Sequence, residues 1–197
     1  NLYFMRLFVI IFSSGFSERF RGSYKRDIAK PLVPISKSRK IIDIHLDNLL
    51  RIFNSGIVSS IKIFINLHYQ GSQIFDYVES NYGKYVDQRI INFLLEPKLF
   101  GHIKTISKLR SYILNSDLFL IMNADTIILN FRYCFKLMLH LLLNYSIDNV
   151  IVISKKELRD DSKTYTHFEV GKILSAKYFK NSFRFCKIKN IVRDRLN

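Results

Sequence analysis

The sequence predicts an α/β fold with a mostly parallel sheet covered by helices. Three observations lead there. Short runs rich in β-branched and aromatic residues alternate with amphipathic segments four times between residues 5 and 154. The stretches joining the strand-like runs are too long for hairpins, so successive strands are joined by crossovers and lie parallel. The first run, Leu7 to Phe12, is apolar at every position, as a strand buried on both faces must be.

Residues 1–4, Asn1-Leu2-Tyr3-Phe4, precede Met5 and read as the tail of a cleavable purification tag, so they are set aside. The apolar run after Met5-Arg6 is too short for a secretory h-region and is expected to be a strand. Ser13 to Lys30 reads as a long polar loop with Gly15, Gly22 and several basic residues. Ile42, Leu46, Leu49, Leu50 and Phe53 share one helical face, with Asp43, Asp47 and Arg51 off it. Gly56 is placed to cap that helix. Ser60 to Asn66 is the second strand. Gly71 to Tyr82 is a helix ended by Gly83. Arg89 to Leu95 is the third strand, stopped by Glu96-Pro97. Ile103 to Leu114 is a helix with Ile103, Ile106, Leu109 and Ile113 inward. Leu118 to Met122 is the fourth strand, followed by Asn123-Ala124-Asp125. Arg132 to Asn144 is an apolar helix and Val150 to Ser154 a fifth strand. Three short β-leaning runs follow, 164–170, 173–179 and 183–188, separated by Gly171-Lys172 and Asn181-Ser182. The expected organisation is an α/β core over 5–154 and a β-rich continuation of the same domain over 155–197.

Composition narrows the function. With 197 residues, 48% apolar and 24% charged, the chain is neither disordered nor fibrous. Cys134 and Cys186 cannot build a disulfide framework, and no apolar run reaches the ~20 residues of a membrane helix. A cytoplasmic protein is expected. The net charge is +15, of which +7 falls in residues 1–40 and +7 in residues 151–197, while the middle is nearly balanced. Such ends attract polyanions, from nucleotides to nucleic acid. A basic proteome with Lys-heavy usage would give the same balance. The five histidines are dispersed without metal-ligand spacing, and the two cysteines have no companion motif.

In open α/β sheets ligands sit beyond the carboxyl ends of the strands, so the residues just after each strand are the candidates. After the first stand Ser13-Ser14-Gly15-Phe16-Ser17-Glu18-Arg19, a small-residue turn whose backbone N–H groups could approach a phosphate, with Arg19 adding charge. Most such turns are only turns. Lys30-Pro31-Leu32-Val33-Pro34 holds Lys30 beside two rigid prolines, which suits a phosphate clamp as well as a surface edge. Asp125, after the fourth strand, could hold Mg²⁺ against a triphosphate or simply cap the next segment.

In this order and spacing, these motifs resemble the sugar-phosphate nucleotidyltransferases. That family includes the mannose-1-phosphate guanylyltransferases, the glucose-1-phosphate thymidylyl- or uridylyltransferases and the N-acetylmuramate-1-phosphate uridylyltransferases. The resemblance runs from about residue 5 to 154. It takes in the opening turn at Ser13 to Arg19, the intact Lys30–Pro34 element, Ile42 to Leu50, Ile65 to Tyr69, Glu96-Pro97 with Phe100-Gly101, and Phe119 to Asp125. It implies a three-layer α/β/α, Rossmann-like (GT-A-like) fold. It also implies transfer of a nucleoside monophosphate from a triphosphate to a sugar 1-phosphate, releasing pyrophosphate. Carried over by position, Ser13, Ser14 and Gly15 would cradle the nucleotide, and Glu96 and Gly101 would lie near the base. Arg19 would stabilise the departing pyrophosphate, Lys30 would neutralise the α-phosphate, and Asp125 would ligate Mg²⁺.

The chain also departs from the family. The second glycine of the opening turn is Ser17, the base-binding run reads Gly101-His102-Ile103-Lys104, and the family's downstream metal-binding Asp has no matching motif; Asp194 sits in Val192-Arg193-Asp194-Arg195. Two other readings follow. One is a degenerate relative that binds nucleotide or nucleotide sugar without chemistry. The other is a basic nucleic-acid binder, for which the tail from Lys155 to Arg195, mixing Lys and Arg with Phe and Tyr, is the best sign.

Overall fold

The computed structural model describes residues 5–13, 28–144, 166–178 and 181–193, the last two stretches by their backbone. The chain divides into two compact units, residues 1–132 and 133–197.

The first unit is built on a four-stranded, wholly parallel sheet of β1 (Arg6–Phe12), β2 (Ser60–Leu67), β3 (Ile91–Leu95) and β4 (Leu118–Asn123), in the spatial order β3-β2-β1-β4. This is an α/β arrangement consistent with a Rossmann-like fold. The order reverses between β1 and β4: the chain steps outward from β1 to β2 to β3, then returns to the other side of β1. Leu7 to Phe12 are all buried, as an apolar run without alternation requires. On one face Phe8, Ile10 and Phe12 pack with Phe64 and Leu109, joined by Leu94, Ile106, Ile113 and Phe119.

Helix α1 (Ile41–Asn54) buries Ile42, Leu46, Leu49, Leu50 and Ile52. It ends in a Schellman motif. Gly56 N–H donates to Phe53 O (2.9 Å) and Ile57 N–H to Ile52 O (3.3 Å), with Gly56 at φ 69°, where only glycine is unstrained. Asp43, which the helical wheel puts off the apolar face, is buried as well. The reason is tertiary. Tyr77 and Tyr82 of α2 (Gly71–Asp87) bring their hydroxyls to its two oxygens, at 2.8 and 3.1 Å.

Helix α2 runs past Gly83, where the sequence predicts its end. Tyr82 leaves helical geometry (φ −128°, ψ 17°), a local kink that the helix survives. Its true stop is Arg89, in the left-handed region at φ 55°. There Arg89 N–H donates to Val86 O (2.8 Å) and Ile90 N–H to Tyr85 O (2.9 Å). A glycine is the usual signal for that geometry, and here an arginine adopts it.

The helix predicted over 103–114 is two, α3 (His102–Lys108) and α4 (Arg110–Leu114), broken at Leu109. The expected inward face persists across the break and fails only in the first turn of α3, where Thr105 is the buried residue. Leu109 is buried and Ile106 and Ile113 reach the core, but Ile103 is 84% exposed rather than inward.

Helix α5 (Phe131–Asn144) starts at the border of the two units. In the second unit β5 (Thr166–Tyr178) and β6 (Asn181–Arg193) form an antiparallel pair. The first two runs expected there are one strand. Gly171-Lys172 does not separate them but falls where the register shifts, between Val170 and Ile173, a bulge and not a turn. The fifth strand expected at 150–154 lies outside the described residues. None of the helices among the described residues is long and apolar enough to cross a membrane.

Candidate functional site

A cleft of about 360 Å³ opens at the carboxyl edge of the sheet, where the strand order reverses. Its lining draws on four places in the chain. Phe12 and Ser13 leave β1, and Asn123, Ala124 and Asp125 leave β4. Glu96, Gly101, His102 and Thr105 come from the connection after β3 and from α3, and Lys30-Pro31 adds a further wall. Five of the residues singled out from the sequence therefore meet here: Ser13, Lys30, Glu96, Gly101 and Asp125. Ser14, Gly15 and Arg19 lie outside the described residues.

The β-ladder sets the spacing. Phe12 pairs with Asn66 on one side and Asn123 on the other, so β1 and β4 end level and β2 runs one residue further. Ala124 N–H donates to Phe12 O at 3.0 Å and extends the β1–β4 ladder by one residue. Asp125 is thus the first residue past the sheet. Thr126 N–H closes the turn onto Asn123 O at 3.2 Å.

Lys30 opens a short 3-10 turn, Lys30–Leu32. Pro31 fixes the backbone angle inside it, and both Pro31 and Leu32 are buried, which anchors the turn. Leu32 N–H bonds Ala29 O at 2.8 Å, and Ala29 N–H is held by the Gln73 side chain at 3.2 Å. From this fixed base Lys30 Nζ reaches Asp125 Oδ2 at 3.5 Å, with the two side chains 31% and 52% exposed. An ion pair so open to water adds less than about 1 kcal/mol to stability, so fold stability is a poor reason for it.

The floor is different. Ser13 N–H donates to Asn66 Oδ1 at 3.0 Å, and the Ser13 hydroxyl donates to the Asn66 carbonyl. Asn66 Nδ2 donates to Glu96 Oε2 at 3.0 Å, and Thr105 Oγ1 donates to Glu96 Oε1 at 2.6 Å. All four residues are buried. Glu96 N–H meets Leu67 O at 2.8 Å and its carbonyl meets His68 Nδ1 at 2.8 Å, so the residue is tied at both ends. Each Glu96 carboxylate oxygen thus accepts one side-chain hydrogen bond. The side chain expected near a base serves here to brace the ends of β1 and β2 against the start of α3.

Gly101 precedes α3 at φ 80°, a conformation that strains any residue with a Cβ. At the lip, the His102 ring lies 4.1 Å from that of Phe12, tilted by 39°. His45, on the buried stripe of α1, places Nε2 3.2 Å from the Ala124 carbonyl. Burial holds its pKa below the ordinary histidine value, partly offset by that carbonyl and by the charge of Asp125.

The sequence reading did not single out Thr105, His102 or His45 as site residues. Asn66 carried a usable signal, a lone amide among apolar residues at the end of a strand. Thr105 and His45 carried none, because nothing local marks which residue a distant backbone will meet. Among the described residues there is no group of three His, Cys, Asp or Glu side chains able to hold a metal ion. Asp125 is a half-exposed carboxylate at the cleft, and a Mg²⁺ held by it would draw the rest of its shell from the oxygens of a ligand and from water.

No protein-family model matches the chain, and no curated protein matches it at a significant level.

Proposed function

We propose that this cleft binds a nucleoside triphosphate and that the chain is a nucleotidyltransferase acting on a sugar 1-phosphate, with the three-layer, GT-A-like form of the α/β fold. One observation supports the reading above the rest. Residues picked from separate motifs line one cleft at the reversal point of the sheet, and Lys30 and Asp125, 95 positions apart in sequence, approach to 3.5 Å.

In this reading an oxygen of the sugar phosphate attacks the α-phosphorus. The bond to the β-phosphate oxygen breaks, and pyrophosphate leaves with the electron pair. Lys30, held by its proline turn, is the fixed cation that neutralises charge growing on the α-phosphate. Asp125 would hold Mg²⁺, which when bound offsets the negative charge of the triphosphate. Arg19 would face the departing pyrophosphate. Ser13, clamped by Asn66, fixes where the phosphate-approaching turn leaves β1. No covalent intermediate on the protein is required, since positioning and preset charge supply the rate. The reading makes it a cytoplasmic enzyme, in keeping with two cysteines in 197 residues.

The test is pyrophosphate release from each common triphosphate with Mg²⁺ and a panel of sugar 1-phosphates. Release that depends on the sugar phosphate supports the reading. Absence of both release and nucleotide binding by calorimetry overturns it. Nucleotide binding without release would favour the second reading, a non-catalytic binding protein. Ser17 in place of glycine and the Gly101-His102-Ile103-Lys104 run motivate that alternative.

A further inference from the structure

Among the described residues, the buried histidine of α1 stands out as a polar group bonded to the backbone beside Asp125 that the proposed chemistry leaves unused. His45 lies on the stripe with Ile42, Leu46, Leu49 and Ile52 and is 2% exposed. An apolar side chain would fill such a position more cheaply, since a buried imidazole needs a hydrogen-bond partner. The partner it has is the carbonyl of Ala124, at 3.2 Å. That carbonyl belongs to the peptide unit whose nitrogen is Asp125's. Ala124 is itself 2% exposed, and its own N–H is taken by Phe12 O. The backbone leading into Asp125 is therefore pinned from two sides, by β1 through an amide and by α1 through His45.

The same helix also holds the Lys30 segment. Ile41 N–H, at the start of α1, donates to Val33 O at 3.1 Å, just beyond the Lys30–Leu32 turn. One rigid helix thus contacts the backbone that presents Lys30 and the backbone that presents Asp125. Its hydrogen bond to the second comes from the His45 side chain.

We infer that His45 is the positioning residue that holds the Asp125 carboxylate at its working distance from Lys30, by donating its Nε2–H to the Ala124 carbonyl. This rests on Asp125 acting as the carboxylate toward a metal-bound triphosphate. His45 touches neither substrate nor metal, and its effect passes through one backbone carbonyl. Nε2–H is the donor in the neutral tautomer that leaves Nδ1 without a proton, and burial favours the neutral form.

The experiment measures Mn²⁺ binding by water-proton relaxation, with each of ATP, GTP, CTP, UTP and dTTP, on the whole chain. His45→Met removes the donor at similar size; His45→Gln puts an amide N–H where Nε2 was. His45→Met is expected to weaken Mn²⁺–triphosphate binding by about tenfold to a hundredfold, the scale seen when a group orienting a metal ligand is lost. His45→Gln should recover most of it. In an Asp125→Ala background His45→Met should cost nothing further. Undiminished binding by His45→Met, or equal loss in Gln and Met variants that both melt as the wild type, overturns the inference.

Should His45→Met fail to fold, the wild-type histidine serves instead. Its Nε2–H resonance in ¹⁵N-histidine-labelled protein should move on adding Mg²⁺ with the triphosphate, and stay still in Asp125→Ala; an unmoved wild-type signal overturns the inference. A wild type that binds none of the triphosphates defeats the proposed function and this inference with it. A wild type that binds well while His45→Met is indifferent defeats only this inference.

Discussion

The floor and the rim of the cleft use polar residues in opposite ways. On the floor Ser13, Asn66, Glu96 and Thr105 are buried and bonded to one another, so each Glu96 carboxylate oxygen already accepts a bond from a neighbouring side chain. On the rim Lys30 and Asp125 are a third to a half exposed and meet at 3.5 Å, a contact that water or a phosphate can replace at little cost. Lining a cleft is therefore not the same as serving it. The buried chain makes the carboxyl edge of the sheet rigid, and the open pair is what that rigidity presents.

The sharpest break of this contrast is a rim substitution. On the proposed transferase reading, Lys30→Ala or Asp125→Ala should lower sugar-phosphate-dependent turnover by about 100-fold, the scale for one preset charge aimed at a transition state. Steady-state kinetics on each variant would check it, and full activity in either would remove that residue from the mechanism.

A floor substitution should do the reverse. Glu96→Met removes the buried acceptor of Asn66 Nδ2, while Thr105 can turn its hydroxyl to Gly101 O, already 3.1 Å away. The expected loss is about 1–3 kcal/mol in urea or thermal unfolding. A Glu96 variant that keeps its stability but loses nucleotide binding would reassign that carboxylate to the ligand.

Away from the cleft, Tyr82 gives a milder case. Its hydroxyl stands 3.1 Å from Asp43 Oδ1 and 3.0 Å from Asp47 Oδ1, linking α2 to α1. Tyr82→Phe should cost about 1 kcal/mol, read from denaturant unfolding. The neighbouring Tyr77 adds a pH signature. Burial first, then its bond to Asp43, pushes its pKa from 10.0 up to about 12. The unfolded chain thus releases this proton before the folded one does. Stability is whole below about pH 10 and falls as pH rises through the folded value near 12. Unfolding titrated from pH 9 upward would check this, and Tyr77→Phe should flatten the decline.

The smallest effect is again at the rim. Lys30→Ala and Asp125→Ala should each change unfolding free energy by less than about 1 kcal/mol. A larger loss would move that pair from function to structure.

Much of the fold was legible. Leu7 to Phe12 declared a doubly buried strand by lacking any alternation, and Gly56 announced the end of α1 because its left-handed geometry excludes a side chain at no strain. The end of α2 was not, because Arg89 takes the same geometry without being glycine. Periodicity marks Ile106, Leu109 and Ile113 as inward but fails at Ile103, because the buried residue of the first turn of α3 is the polar Thr105, bonded to Glu96, while Ile103 is exposed. Asp43 and His45 looked like solvent-facing or idle residues. Their partners, the Tyr77 and Tyr82 hydroxyls and the Ala124 carbonyl, lie 34, 39 and 79 positions away.

By itself the sequence determined which segments are strands and helices and which residues follow each strand, because those depend on side-chain periodicity and on backbone preferences within a turn or two. Only the tertiary structure decided that the parallel strands stand in the order β3-β2-β1-β4, which turns the ends of β1 and β4 toward one cleft and brings Lys30 to Asp125. Strand order is a choice among long-range pairings that all satisfy the same local pattern, and it is settled by how the apolar faces close around β1.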